Sequence, residues 1–336
     1  QLTRAASYSD IQLRTAHPSA DFKRMGTFKS VQALEQQISE LGLRLPIDHC
    51  VLSRAEGSPL GQPLQMGKLI LANRFAIHPM EGCNAYRNKA NRIDGSPSAE
   101  TLRSWALYGL SGAAMVAGGE AMAITEDARA NPRQTLITPS NAQGIADLVS
   151  ICRFASEQKY GADCEQKLFA QLTHSGRNCR PDDDIKKPKV MFHNPIYDPA
   201  NEAYQLTDNE LDEVVEQYVR AAKIAQQAGF DGVDVKACHG YLLHESLSAF
   251  TRKDSKYGGE ALEQRANLIL TIIDRIKEEC PGLEIMVRLS AYDSLPRSLV
   301  NLETGEATAE AQKHFPYRYA FGVNPENPLE VDLTEP

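Results

Sequence analysis

The chain has 336 residues, 42% of them hydrophobic and 24% charged, with a formal net charge of -8. That length holds one large α/β domain or two ordinary ones, and the balance is that of a soluble globular protein. The acidic balance argues against nonspecific nucleic-acid binding, no apolar run approaches the roughly 20 residues of a membrane span, and no signal peptide is visible after Gln1.

Residues 1–66 read as an N-terminal extension, with a helix near Ser30–Leu41 and a polar connector from Ser53 to Gln65. From Lys68 onward strands and helices alternate. Leu69–Ile77 is the first predicted strand. Ser96-Pro97 opens a helix that runs to about Ser111, with serine as cap and proline at the first helical position. Ala113–Ala117 is an apolar strand, Asn141 to about Gln158 a helix, and Leu168–Thr173 a third strand. Asp208–Ala228 is the clearest helix. Thr207 and Glu210 form a capping box, Leu211, Val214, Val215, Tyr218, Val219 and Ala222 share one face, and Gly229 stops it. Val233–Lys236 is the fourth strand, Leu262–Glu279 a helix and Glu284–Leu289 the fifth strand. This order predicts a parallel sheet with right-handed crossovers. Ser175–Leu206 and Ser290–Pro336 are too long for plain connections, and both follow strands.

Polar residues gather where the strands end. The first ends in His78-Pro79-Met80-Glu81-Gly82, and the second in Gly118-Gly119-Glu120-Ala121, with Arg129-Ala130-Asn131-Pro132 beyond it. The third carries Gln171, His174 and Arg177, the fourth Lys236, His239 and Tyr241, and the fifth Arg288. Five such ends point to one shared pocket at the C-terminal mouth of a β/α barrel. Strand alternation turns Val233 and Val235 toward the helices, so Asp234 and Lys236 are expected to point into the barrel. Seven scattered cysteines (Cys50, Cys83, Cys152, Cys164, Cys179, Cys238 and Cys280) form no Cys-x-x-Cys pair. Neither a disulfide framework nor a cysteine-built zinc or iron–sulfur site is expected, no metal ligands are assigned, and a reducing cytoplasm is the expected compartment.

Ala72-Asn73-Arg74-x4-Pro79-Met80, Gln171-Leu172-x-His174-x-Gly176-Arg177, His239-Gly240-Tyr241-Leu242-Leu243, Tyr257-Gly258-Gly259 and Glu263-x-Arg265 together resemble the old yellow enzyme family. The resemblance runs from about Gly67 to Arg288. It implies an α/β fold, the (β/α)8 TIM barrel, with about the first five β/α units in residues 67–336. It also implies FMN at the strand ends, and hydride passing from NADH or NADPH through the flavin to an activated alkene. Gln171 would meet the flavin pyrimidine edge, or satisfy a barrel-interior backbone group. Arg288 would stand beside N1 and O2, or form an internal ion pair. Pro79, Met80, Glu81 and Ala121 would line the isoalloxazine, His239 would polarise the substrate carbonyl, and Tyr241 would protonate the carbon that hydride does not reach. His174 and Arg177 would be structural or line the rim.

Two residues depart from the family pattern. Glu81 stands where many relatives carry threonine. Lys236 stands where many carry the histidine that grips the substrate oxygen with its neighbour. Lys236 is expected to stabilise the reduced flavin's N1–O2 edge, the alternative being an Asp234–Lys236 pair. The family has eight strands and seats the FMN phosphate after the seventh and eighth. Asp332–Pro336 reads as the opening of another helix, so the chain is expected to be a fragment that binds FMN poorly alone. A longer relative acting on dienoyl-CoA esters or amines, with an iron–sulfur domain, and a noncatalytic barrel serving as a binding module are the competing readings. The partner is a small molecule; oligomeric state is open.

Overall fold

The computed structural model describes residues 23, 25–86, 94–161, 166–182 and 185–336. Cys164 and the first part of the expected N-terminal extension lie outside the described residues. The chain divides into two compact units, one of Gln1–Gln62 with Leu295–Gln312, the other of Pro63–Ser294 with Lys313–Pro336. In the first, Ser30 accepts the Ala33 N–H at 3.2 Å and caps helix α1 (Val31–Glu40), where the sequence places it.

The second unit is built on parallel strands. A hairpin of β1 (Leu64–Met66) and β2 (Leu69–Leu71) precedes β3 (Ala76–Ile77), α2 (Ala99–Leu110), β4 (Met115–Ala123), α3 (Ala142–Tyr160) and β5 (Lys167–Thr173). The loop after β5 holds a small parallel pair, β6 (Lys189–Val190) and β7 (Tyr204–Gln205). Then follow α4 (Asp208–Ala228), β8 (Gly232–Ala237), the short α5 (Leu242–Leu247), α6 (Leu262–Glu279) and β9 (Glu284–Leu289). Among the described residues the main sheet has five strands in the order β3-β4-β5-β8-β9, every neighbouring pair parallel. This is the partial barrel that the alternation of elements implies.

Several local rules fix these elements. Helix α4 starts on the Thr207–Glu210 capping box, buries Leu211, Val214, Val215, Tyr218 and Val219, and stops at Gly229 with φ 92°. Val233 and Val235 face that layer and join its core, with Leu168 and Leu172 from β5 and Leu268 and Ile272 from α6. A fully buried side chain of this size contributes about 1.5–3 kcal/mol. On the other side of the sheet Met115, Ala117 and Phe169 pack with Leu71, and Met66 and Leu69 of the hairpin lie against them.

The structure corrects four expectations. Leu69–Ile77 is not one strand: Leu69–Leu71 pairs antiparallel with β1, and Ala76–Ile77 alone joins the main sheet. Asn73 causes the break, because its side chain accepts the Phe75 and Ala114 N–H groups and donates to the Gly112 carbonyl, replacing strand bonds. Ser98, not Ser96, caps α2, in a box with Thr101, while the Ser96 N–H is held by Asp94. The second strand continues past Ala117 to Ala123, through a bulge between Gly118 and Ala121. Residues 332–336 are not helical; they follow a hairpin of Val323–Asn324 (β10) and Asn327–Val331 (β11), and Asp332 accepts the Thr334 N–H.

Candidate active site

The bulge in β4 shapes one wall of the mouth. Gly118 (φ 101°) and Gly119 (φ 52°) take conformations that L side chains rarely adopt. A Cβ on Gly118 would lie 2.8 Å from that of Gln171 and 3.1 Å from that of Pro79, so glycine lets these two neighbours close in. Met80 donates its N–H to the Gly119 carbonyl at 2.9 Å, and the Ala121 carbonyl accepts from Gln134. Bulges of this kind re-aim side chains at strand ends. Here the two extra residues are Gly119 and Glu120, and Glu120 is buried, with Oε2 on the Thr135 hydroxyl at 3.2 Å and Oε1 without a hydrogen bond among the described residues. Burial, more than any neighbour, pushes its carboxyl up to about 7.

Lys236, His239 and Tyr241 come from the end of β8. His239 (φ 62°) and Gly240 (φ 68°) turn the chain sharply; the Gly240 N–H is held by His244 Nδ1 at 2.9 Å. The turn leaves His239 exposed and Tyr241 buried. Lys236 is buried, and its ammonium pairs with the Glu81 carboxylate and stands 4.0 Å from the centre of the Tyr241 ring. The Tyr241 hydroxyl donates to Glu81, 3.0 Å from each of its carboxylate oxygens. Burial, then the charge of Glu81, raises the Tyr241 phenol above its ordinary value. Burial and the charges of Lys236 and Arg288 lower the His239 imidazole.

Asp234 takes a different partner. The alternative Asp234–Lys236 pair is not formed; Gln171 Nε2 donates to Asp234 Oδ2 at 2.6 Å, while Oδ1 has no hydrogen bond among the described residues. The Gln171 amide nitrogen is thereby committed to a carboxylate rather than to backbone. Arg288, level with Lys236 in the register of β8 and β9, makes no ion pair among the described residues.

His174 and Arg177 are anchored inside the wall. His174 Nδ1 accepts the Gly176 N–H at 3.1 Å, and burial lowers this imidazole to about 4. Arg177 pairs with Glu245, whose other oxygen accepts the Met191 N–H at 2.9 Å. Glu245 was not singled out in the sequence; it is a carboxylate on a six-residue helix whose residues are all buried, beside Leu242, Leu243 and Leu247.

Two cavities open at this end. One of about 480 Å³ is lined by Glu81, Cys83, Asn131, Arg180, His239 and Tyr241 among others. The second, about 250 Å³, lies on the other side of His239 and is walled by Arg177, Phe192, Tyr197, Asp293, Tyr317 and Tyr319 among others. Cys83, Arg180 and the aromatic wall were not foreseen; they lie in loops whose spacing carries no periodic signal.

A parallel half-barrel with an amide, a phenol, an imidazole and several cations at its strand ends belongs to the α/β barrels that hold a ligand at the C-terminal mouth. The chain belongs to the NADH:flavin oxidoreductase / NADH oxidase family, whose model matches residues 59–317. It is 28% identical over 268 residues to an NADH-dependent flavin oxidoreductase of Aspergillus parasiticus, covering 76% of this chain and 59% of that protein. It is 30% identical to an NADPH dehydrogenase of a Geobacillus species, over 54% of this chain and 49% of that one. It is 38% identical to one of Listeria monocytogenes, over 38% and 36% respectively. The chain thus spans between about a third and three fifths of these curated relatives. Among solved structures, a mutant of morphinone reductase in complex with tetrahydroNAD matches with TM-score 0.56 and 25% identity, covering 69% of this chain and 64% of that one. An Old Yellow Enzyme from a Pichia species matches in fold, with TM-score 0.59 and 23% identity, covering 70% and 61%.

Proposed function

We propose that this protein is an FMN-dependent oxidoreductase that takes hydride from NADH or NADPH and reduces an activated alkene, with the substrate in the cavity beside His239 and Tyr241. The observation that carries this reading is the meeting of Glu81, His239 and Tyr241, from two strand ends, at one open cavity, with the buried Lys236 paired to Glu81. A cytoplasmic setting belongs to the same proposal and rests on the scattered thiols.

The residues present fit the ring of a flavin. Arg288 offers a guanidinium with no ion-pair partner among the described residues, Gln171 offers its amide oxygen, and Gly118 keeps the strand end free of side chain between Pro79 and Gln171. Gln171 and Arg288 would hold the pyrimidine edge, and Pro79, Met80, Glu81 and Ala121 would flank the ring. Bound there, FMN would accept and return hydride, and Arg288 and Lys236 would oppose the negative charge that reduction brings. His239, lowered toward its neutral form, keeps one ring N–H to donate to a substrate oxygen. Tyr241, raised in pKa, is protonated at neutral pH, as a proton donor must be.

The test is flavin content and bleaching of the full-length protein. It should purify yellow or take up FMN, lose its visible absorbance under NADH or NADPH without oxygen, and regain it with a cyclic enone. A folded protein that neither binds FMN nor bleaches overturns the reading in favour of a noncatalytic binding module. Bleaching that no enone reverses overturns the alkene assignment.

A further inference from the structure

Tyr241 has a problem that its burial creates. A phenol that gives up its proton must be recharged before the next turnover, and Tyr241, although it borders the open cavity, is only 8% exposed with its hydroxyl committed to Glu81. Its hydroxyl is 3.0 Å from both oxygens of Glu81, and the Glu81 side chain, 29% exposed, lines the open cavity. The buried ammonium of Lys236 holds the same carboxylate and covers the Tyr241 ring at 4.0 Å. The three groups therefore form a triangle in which the carboxylate touches both the buried cation and the phenol and is itself in contact with solvent.

We propose that Glu81 is the proton relay of this site, a positioning residue that connects the Tyr241 phenol to solvent and is held in place by Lys236. This rests on the reading of Tyr241 as proton donor. In the transfer, the Tyr241 O–H bond breaks as a C–H bond forms at the substrate carbon that does not receive hydride. The Glu81 carboxylate takes a proton from water in the cavity, leaving hydroxide to the solvent, and passes it to the phenolate left behind. Hydride comes from the nicotinamide and the proton ultimately from water, so the alkene gains one of each. Lys236 keeps its charge throughout: its ammonium opposes the carboxylate at rest and the phenolate during transfer.

The neighbourhood agrees with this assignment. The charged and titratable groups near the phenol include Glu81 and Cys83 from the loop after β3 and Lys236 from β8, with His239, Arg180 and Lys186 on the same cavity; the Ser175 hydroxyl acts on it in the lowering sense. After burial, Glu81 is the largest influence raising the phenol. Removing its negative charge should let Tyr241 ionise at lower pH.

Two readouts test the relay in the full-length protein. First, 3-fluorotyrosine is placed at position 241 and its fluorine resonance is followed against pH without nicotinamide. Glu81→Gln should move the ionisation down by about one pH unit or more, a tenfold change, and Glu81→Asp should stay near the parent. Identical curves for parent and Glu81→Gln overturn the link between the two groups. Second, Glu81→Ala should slow enone reduction by roughly 10–100-fold, within the range of acid–base contributions, and added formate should restore part of it. A loss that formate does not relieve, in a variant that still binds FMN, overturns the relay. If the unsubstituted protein takes no hydride from NADH or NADPH, the proposed function falls, while the fluorine comparison still decides whether Glu81 governs Tyr241.

Discussion

Two carboxylate–cation pairs stand at the mouth of this half-barrel, and they are built to different ends. In the Arg177–Glu245 pair the carboxylate is the buried partner, its side chain 7% exposed, and backbone closes around it: the Met191 N–H binds one oxygen and the Phe192 carbonyl accepts from Arg177. This pair ties the loop after β5 to helix α5 and borders the smaller cavity, where Arg177 Nη1 has no hydrogen bond among the described residues. In the Lys236–Glu81 pair the cation is buried, 3% exposed, and the carboxylate is 29% exposed and faces the cavity. An open pair keeps one side available to water or substrate. The difference lies in which partner reaches solvent, not in the residue types.

The contrast predicts unequal costs for the same chemical change. Glu245→Gln puts an amide N–H₂ among groups that already donate, and strips Arg177 of its counter-ion. Breaking a buried pair in this way costs about 3–5 kcal/mol. Glu81→Gln also strips the buried Lys236 ammonium of its counter-ion, but the amide can turn its oxygen to Lys236 and Tyr241 and its N–H₂ to the cavity, so a smaller loss of about 1–3 kcal/mol is expected. Urea midpoints of the two variants measure the difference; equal losses would remove the distinction between the pairs.

A smaller effect separates two glycines of the same rim. Gly118 (φ 101°) has the Gln171 Cβ 2.8 Å from where its own Cβ would stand, whereas Gly240 (φ 68°) has nothing within 4 Å. Gly118→Ala should lose about 3 kcal/mol through strain and contact together, and Gly240→Ala about 1 kcal/mol through strain alone. If the two alanine variants unfolded at the same midpoint, the close approach of Pro79 and Gln171 would not be what fixes Gly118.

What the sequence makes legible follows from the range of the interaction. Helix α4 and its stop at Gly229 were readable because a capping box, a 3.6-residue apolar stripe and a glycine are all local. The order of parallel strands followed from alternation. The break after Leu71 was hidden because it depends on Asn73 binding Gly112 and Ala114, some forty residues away in the chain. The inward direction of Lys236 was legible from period two, but its partner was not. Asp234, two residues away, was the local candidate; the pairing that forms is with Glu81, 155 positions distant. Nothing in the spacing of either residue announces it.

The smallest net effect distinguishes the closed and open regions through pH. His174 belongs to the closed region, and burial lowers its imidazole from 6.5 to about 4. Its folded value lies below its unfolded one, so its contribution is complete above about 6.5 and is lost as pH falls through 4. Protonation would also remove the acceptor that holds the Gly176 N–H. Glu120 is buried but senses the open pair: burial raises its carboxyl from 4.5 to about 7, and the charge of Glu81 adds to the rise. Its folded value lies above its unfolded one, so its contribution is complete below about 4.5 and is lost as pH rises through 7. Between these limits the two slopes oppose each other, each worth roughly 3 kcal/mol across its window, and the parent's stability should change little. The variants uncover the slopes one at a time. Glu120→Gln should gain on the parent steadily from pH 5 to 7, and His174→Gln should gain on it as pH falls from 6.5 to 4. Urea midpoints at several pH values read both. A Glu120→Gln difference that stays constant with pH would mean that Glu120 is ionised in the folded protein throughout, and the bulge of β4 would then carry a fixed negative charge beside Glu81.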